Sequence, residues 1–170
     1  AANNLKALID AGYEITAIVC PPDSRKGRGK QLQACKVKEI GQENGITVLQ
    51  PLKLKSEDFI KKLKSLNADI FVVVAFRMLP ELVWKLPKKG TINLHTSLLP
   101  NYKGAAPINW VLINGEKETG VTTFFINQQI DSGAIIHQEK IPLTKNTTAA
   151  ELHNTLMAKG STLLINSLNS

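Results

Sequence analysis

The chain of 170 residues is poor in several features that would each have set its class. It has only two cysteines, Cys20 and Cys35, without metal-ligand spacing, so free thiols in a reducing compartment are expected. Its three histidines, His95, His137 and His153, lie far apart and lack ligand spacing, so no metal site is expected. The longest apolar run, around Ile70 to Phe76, is far too short to span a bilayer. No charged, apolar and small-residue signal opens the sequence, and a cytoplasmic location is expected. There is no Gly-x-x-x-x-Gly-Lys loop or Gly-x-Gly-x-x-Gly turn, so nucleotide cofactors have no motif support. Ser97 lacks the Gly-x-Ser-x-Gly elbow of a hydrolase nucleophile.

What remains is a globular composition, 43% apolar, in a chain suited to one domain. A domain of this size buries roughly 70% of its unfolded surface. The net charge is +7, and its placement says more than its size. The stretch "SRKGRGK" (24 to 30) gathers Arg25, Lys26, Arg28 and Lys30 around two glycines, with Lys36 and Lys38 close behind. It cannot bury a core face and reads as a loop of weak or variable order. Taken alone it is either a solvated surface or a contact for a phosphate backbone.

Strand and helix patterns alternate along the first two thirds. "YEITAIVC" (13 to 20) predicts a β-branched strand, "LQACKVKEIGQEN" (32 to 44) a helix closed by Gly45, and "ITVLQ" (46 to 50) the next strand. Ser56 predicts the cap of a helix with Glu57 and Asp58 in its first turn and Phe59, Ile60, Leu63 and Leu66 on its apolar face. "DIFVVVAF" (69 to 76) is apolar throughout, as a strand covered on both faces would be. A short helix between Pro80 and Pro87 leads to the strand "GTINLH". This alternation predicts an α/β fold with a doubly wound, mostly parallel, Rossmann-like sheet and helices on both faces. Ligands sit beyond the carboxyl ends of such strands. "AAPINWVLING" suits a helix ending at Gly115. Residues 120–126 and 133–143 predict an antiparallel pair, and Thr148 with Glu151 a capping box on a last helix with Leu152, Leu156, Leu163 and Leu164 inward. The opening "AANNLKALIDAGY" predicts a helix capped by Asn3 or Asn4. Doubly wound domains usually open on a strand, so the true beginning is expected to lie upstream.

Three residues could do chemistry together. Asn93 and His95, two apart on a strand end, project from the same side. Asp131, in the polar turn "QQIDSG", could fold back over the strand ends, or could simply stabilise its own turn. An imidazole oriented by a carboxylate exchanges protons near neutral pH. A carboxamide and an imidazolium can donate to a developing oxyanion. The set suits direct attack of an amine on an activated acyl or formyl donor. His137 and His153 are expected to be structural or exposed.

The segment "INLHTSLLPNYKGAAPINWVLINGEKETGVTTFFINQQIDSGAII" closely resembles the folate-dependent formyltransferases, which carry Asn-x-His, Ser-Leu-Leu-Pro and a later Asp-x-Gly turn. Within that family, "PPDSRKGRGKQLQACKVKEIG" looks most like the methionyl-tRNA formyltransferases, where a basic loop contacts the tRNA acceptor end. The resemblance covers nearly the whole chain. It implies transfer of a formyl group from 10-formyltetrahydrofolate to the α-amine of initiator methionyl-tRNA, by a monomer without metal. It also implies a catalytic trio of Asn93, His95 and Asp131. Ser97, Leu98, Leu99 and Pro100 would line the folate site, with Phe76, Arg77 and Met78 beside the pterin. Arg25, Lys26, Arg28 and Lys30 would meet tRNA. Residues 1–170 would be the catalytic domain, without the family's first strand and carboxyl-terminal β-barrel domain. The rival readings are a formyltransferase for a sugar nucleotide or other small amine, and a non-catalytic binding module on the same fold.

Overall fold

The computed structural model describes residues 1–26 and 31–170. Helix α1 (Ala2–Asp10) leads into strand β1 (Ala17–Val19), followed by an antiparallel pair, β2 (Ser24–Lys26) and β3 (Gln31–Gln33). Helix α2 (Lys36–Glu43) returns the chain to β4 (Thr47–Leu49), which runs parallel to β1. Helix α3 (Glu57–Ser65), strand β5 (Phe71–Val74), helix α4 (Glu81–Trp84) and strand β6 (Thr91–His95) repeat the crossover, with β5 and β6 parallel. Helix α5 (Pro107–Ile113), strands β7 (Glu118–Phe125) and β8 (Ile135–Pro142), and helix α6 (Ala149–Leu168) complete the chain. The strand order β5-β6-β7-β8 makes one sheet, and β1-β4 a second ladder. The expected antiparallel pair is β7 and β8, joined to the parallel part through β6, to which β7 is also antiparallel.

Alternation along the strands assigns the helices to two faces. Ile18 of β1 packs with Leu5 of α1 and Ile40 of α2, whereas its neighbour Val19 packs with Phe59 and Leu63 of α3. On β6, Ile92 meets Leu8 of α1 and Leu164 of α6, and Leu94 meets Leu152, Leu156 and Leu163 of α6. Thus α1, α2 and α6 cover one face, and α3 and α4 the other. The capping box forms as expected: Thr148 accepts from the Glu151 N–H while the Glu151 carboxylate accepts from the Thr148 N–H. At Gly160, α6 comes so close to β6 that a Cβ there would lie 2.9 Å from Leu94.

Three local expectations change. Asn3 and Asn4 do not cap α1, which starts at Ala2 with Ala1 as its cap residue. Asn4 is instead buried against α6, where its Oδ1 accepts a 2.7 Å hydrogen bond from Ser161. The helix expected over 32–44 begins only at Lys36, because residues 31–33 pair with 24–26 as β3, and this tertiary pairing overrides local helix preference. The same pairing places the backbone of Arg25 and Lys26 in a strand rather than a loop. Arg28 and Lys30 lie outside the described residues. Cys20 and Cys35 are free thiols, and Cys20 is pushed up to about 12 by burial first and by its hydrogen bond with Cys35 second. Among the described residues no helix is long and apolar enough to cross a membrane.

Candidate active site at the carboxyl ends of the parallel strands

The parallel strands end together. Arg77, just beyond β5, donates from Nη2 to the Pro51 carbonyl beyond β4 at 2.8 Å, so both strand ends open on one side. On β6, Ile92 and Leu94 are committed to the α1 and α6 face, so Asn93 and His95 necessarily project to the other. Opposite them on β7 stand Phe124, paired with Asn93, and Thr122, paired with His95. Asn93 is half-buried, and none of the side-chain hydrogen bonds among the described residues involves its carboxamide.

Asp131 reaches this place from the β7–β8 connection. Gly133 makes that possible: a Cβ there would lie 1.5 Å from the Phe125 carbonyl oxygen, so only glycine lets the turn lie flat on the strand end. Asp131 adopts a left-handed φ of 46° and carries its Oδ2 to 3.7 Å from His95 Nδ1. Both side chains are largely shielded, with 9% and 12% of their surface exposed. The separation is longer than a direct hydrogen bond, and it becomes an ion pair when the ring carries both protons. The same Oδ2 accepts from the Gly104 N–H at 2.7 Å. His95 Nε2 lies 2.8 Å from the Tyr102 carbonyl; a carbonyl only accepts, so Nε2 bears the proton and Nδ1 is the nitrogen turned to Asp131. The arrangement therefore holds one ring nitrogen of His95 next to a carboxylate, with a carboxamide two residues back on the same face of β6.

The turn after β6 is built by hydroxyl and amide contacts. Thr122 donates from Oγ1 to the Ser97 carbonyl at 2.7 Å, and Gln138 of β8 donates from Nε2 to the Leu99 carbonyl at 2.8 Å. Ser97 is fully buried and its hydroxyl donates to the Asn101 carbonyl at 2.7 Å, so its side chain shapes the turn from within. Leu99 is buried as well, Leu98 packs toward Gly120, and Pro100 is exposed. Beyond β5, Phe76 is half-buried against the α3 side, whereas Arg77 and Met78 are exposed. The two segments follow the neighbouring parallel strands β5 and β6.

Asp23 lies at the same end of the fold. Asp23, ahead of β2, pairs with Lys38 at 2.6 Å and accepts from Gln50 at 2.8 Å. The Lys38 contact, with the Gln50 hydrogen bond behind it, holds the Asp23 carboxyl below the usual carboxylate range. Lys38 is thus engaged within the protein, and Lys36 pairs with Glu39 at 3.5 Å. Of the other histidines, His137 contacts Ser167 at 3.1 Å and His153 is exposed.

Sequence reasoning missed Tyr102, Gly104, Thr122 and Gln138. The adjacent threonines of "VTTFF" carried the one available signal. Two hydroxyls in an apolar strand, both fully buried, must find polar partners. Nothing local announced that the main chain of 102–104 would meet His95 and Asp131.

Comparison with known proteins shows the family and the fold. Residues 1–168 match the family described as formyl transferase. The chain is 50% identical over 165 residues to methionyl-tRNA formyltransferase of Parabacteroides distasonis, covering 96% of this chain and 51% of that protein. Against methionyl-tRNA formyltransferase of Clostridioides difficile it is 50% identical over 161 residues, covering 94% and 52%. The chain spans about half the length of these curated relatives. The crystal structure of phosphoribosylglycinamide formyltransferase from Bacillus halodurans superposes with a TM-score of 0.83 at 22% identity, over 98% of this chain and 88% of that one, a likeness of fold.

Proposed function

The chain belongs to the formyl transferase family, and on that premise we propose that it is the catalytic part of an enzyme that moves a formyl group from 10-formyltetrahydrofolate to the α-amine of initiator methionyl-tRNA. The observation that carries this reading is the approach of Asp131 to His95 on the face of β6 that also bears Asn93. The donor supplies an activated formyl carbon. The cleft wall suits a flat, hydrogen-bonding ring: Phe76 and Met78 give apolar surface beside the main-chain groups of the turn after β5. Pro100 and the main chain of Ser97 to Leu99 would form the facing wall.

The chain's residues divide the work as follows. Asn93 donates an amide N–H to the formyl oxygen as negative charge develops there during attack by the neutral amine. Protonated His95 stabilises the same charge. Asp131 orients His95 and assists the passage of the proton from the amine toward the departing N10. Arg25, Lys26, Arg28 and Lys30 neutralise tRNA phosphates. The likeness to methionyl-tRNA formyltransferases at 50% identity supports tRNA over a small amine as acceptor. In this reading residues 1–170 form one catalytic domain of a longer protein.

The full-length protein is expected to formylate methionyl-tRNA and not an amino-sugar nucleotide. Replacing all four basic residues with Ala weakens tRNA binding at low salt, and each lost phosphate contact flattens the log–log salt dependence by roughly 0.7 to 0.9. Folate affinity stays unchanged. Superimposable salt titrations for the two proteins, or formylation of the sugar nucleotide alone, would remove tRNA as the acceptor.

A further inference from the structure

Both nitrogens of His95 face the protein, and the contact on the Nε2 side is to main chain. That main chain belongs to Tyr102, in a segment of unusual conformation. Tyr102 has φ 56°, Gly104 84° and Ala106 53°, so three left-handed residues alternate within five positions. An L-residue with a bulky side chain stays in this region only when surrounding contacts hold it there. For Tyr102 those contacts are made by the phenol. Its hydroxyl donates to the Glu116 carboxylate and accepts from Asn114 Nδ2 at 2.9 Å. The Glu116 hydrogen bond, foremost, raises the phenol above its ordinary pKa.

Asn114 and Glu116 close the end of α5, where the Glu116 N–H donates to the Val111 carbonyl at 3.1 Å. Val111 is buried, and Ile108 and Leu112 pack against the α6 core cluster. A continuous line of contacts therefore runs from the core, through the end of α5 and the Tyr102 ring, to the carbonyl that meets His95 Nε2.

We propose that Tyr102 is a positioning residue of the active site: its phenol, clamped by Glu116 and Asn114, holds its own carbonyl against His95 Nε2 and so reserves Nδ1 for proton exchange beside Asp131. Nε2 is the anchor and Nδ1 the working nitrogen. Should the carbonyl drift away, the neutral ring can place its proton on either nitrogen. In the Nδ1–H form the proton is tied to Asp131 and the edge facing Tyr102 becomes a bare acceptor. The fraction of enzyme with a correctly presented ring falls, while Phe76 and Met78, which lie on a separate segment, are untouched.

The consequence for turnover rests on the formyl-transfer reading; the state of the ring does not. In full-length protein carrying 15N-labelled histidine, the nitrogen spectrum of His95 reports which ring atom bears the proton. The native protein is expected to show the Nε2–H form, and Tyr102→Phe a mixture of both. In formylation of methionyl-tRNA, Tyr102→Phe lowers kcat about tenfold to a hundredfold, the range expected for a slightly misplaced catalytic group. It also alters the pH profile of kcat and changes KM for the formyl donor much less than kcat. Glu116→Gln, which still offers an oxygen to the phenol, keeps most of kcat and the native ring state. If Tyr102→Phe does not fold, Glu116→Ala removes the acceptor without touching Tyr102 and is held to the same readings. A native ring state together with native kcat in the variant overturns the proposal. If the native protein formylates nothing, the formyl-transfer reading fails, and the nitrogen spectrum alone decides the role of Tyr102.

Discussion

Gly133→Ala tests whether the site depends on how closely the β7–β8 turn lies against the strand below it. A Cβ at this position would sit 1.5 Å from the Phe125 carbonyl oxygen and 2.7 Å from its carbonyl carbon. Real contacts of this kind do not fall below 3.0 Å, so the two segments must separate by about 1.5 Å, the difference between 3.0 and 1.5. The strand cannot give way cheaply. The Phe125 N–H donates to Ala134 at 2.9 Å and the Ile126 N–H to Thr91 at 2.8 Å, which pins the end of β7 from both sides. The turn must move instead, and it carries Asp131, only two residues away. A displacement of this size at a catalytic carboxylate costs about a hundredfold in kcat. The overpacking itself costs roughly 1–3 kcal/mol, which in a domain of this size lowers Tm by roughly 2–12 °C. The assay is formylation of methionyl-tRNA by the full-length variant beside a thermal melt. Gly45→Ala is the control, since Gly45 has φ +66° but nothing within 4 Å of an added Cβ. It should lose about 1–2 kcal/mol to backbone strain and keep native turnover. A Gly133→Ala enzyme with native kcat would refute the dependence of the reaction on Asp131 at its observed place.

Asn93→Ala removes the proposed oxyanion donor and should lower turnover about a hundredfold to a thousandfold with little change in folate affinity; equal losses in both would move Asn93 from chemistry to binding. Leu156→Ala deletes a fully buried side chain of the α6 core and should cost about 2–5 kcal/mol, read by denaturant titration. A loss well under this range would mean that α6 does not anchor the sheet. Glu151 has its carboxyl held below the ordinary glutamate range by the Thr148 N–H first and the Thr148 hydroxyl second. Since the folded value is depressed, its contribution is present above the unfolded glutamate pKa and lost as pH falls through the folded one. Acid melts of native protein and Glu151→Gln should therefore differ above that window and converge below it; parallel curves at every pH would argue that the capping box is absent in solution.

The parts of the fold written in local pattern were legible beforehand. Helix α6 announced its start through Thr148 and Glu151 and its buried face through leucines at helical spacing, and both stand. The shared face of Asn93 and His95 was legible because side chains two apart on a strand project from one side. The segment from 24 to 33 was not legible, since its pairing as β2 and β3 is set by contacts between strands and has no signature in the polar run itself. Asn4 misled for a related reason: it looks like a cap until α6 arrives to bury it. The supporting shell of the site was hidden for a deeper reason. The groups that meet His95 and Asp131 are a carbonyl and an N–H, which every residue but proline possesses, so no side-chain alphabet can spell them.

Strand β6 shows how such a domain can change without failing. Its even-numbered residues, Ile92 and Leu94, answer to the packing of α1 and α6, whereas Asn93 and His95, of opposite parity, project from the other face. Because neighbouring residues report to different constraints, mutational drift in the hydrophobic layer and adaptation in the cleft are nearly independent processes. A lineage can exchange aliphatic residues beneath the sheet, losing and regaining small amounts of stability, while the chemistry above stays fixed. It can equally rebuild the loops at the strand ends around a new acceptor while the framework stays put. The two-residue repeat of an extended chain is thus a partition between heritable robustness and heritable novelty, and it is present in a strand of only five residues.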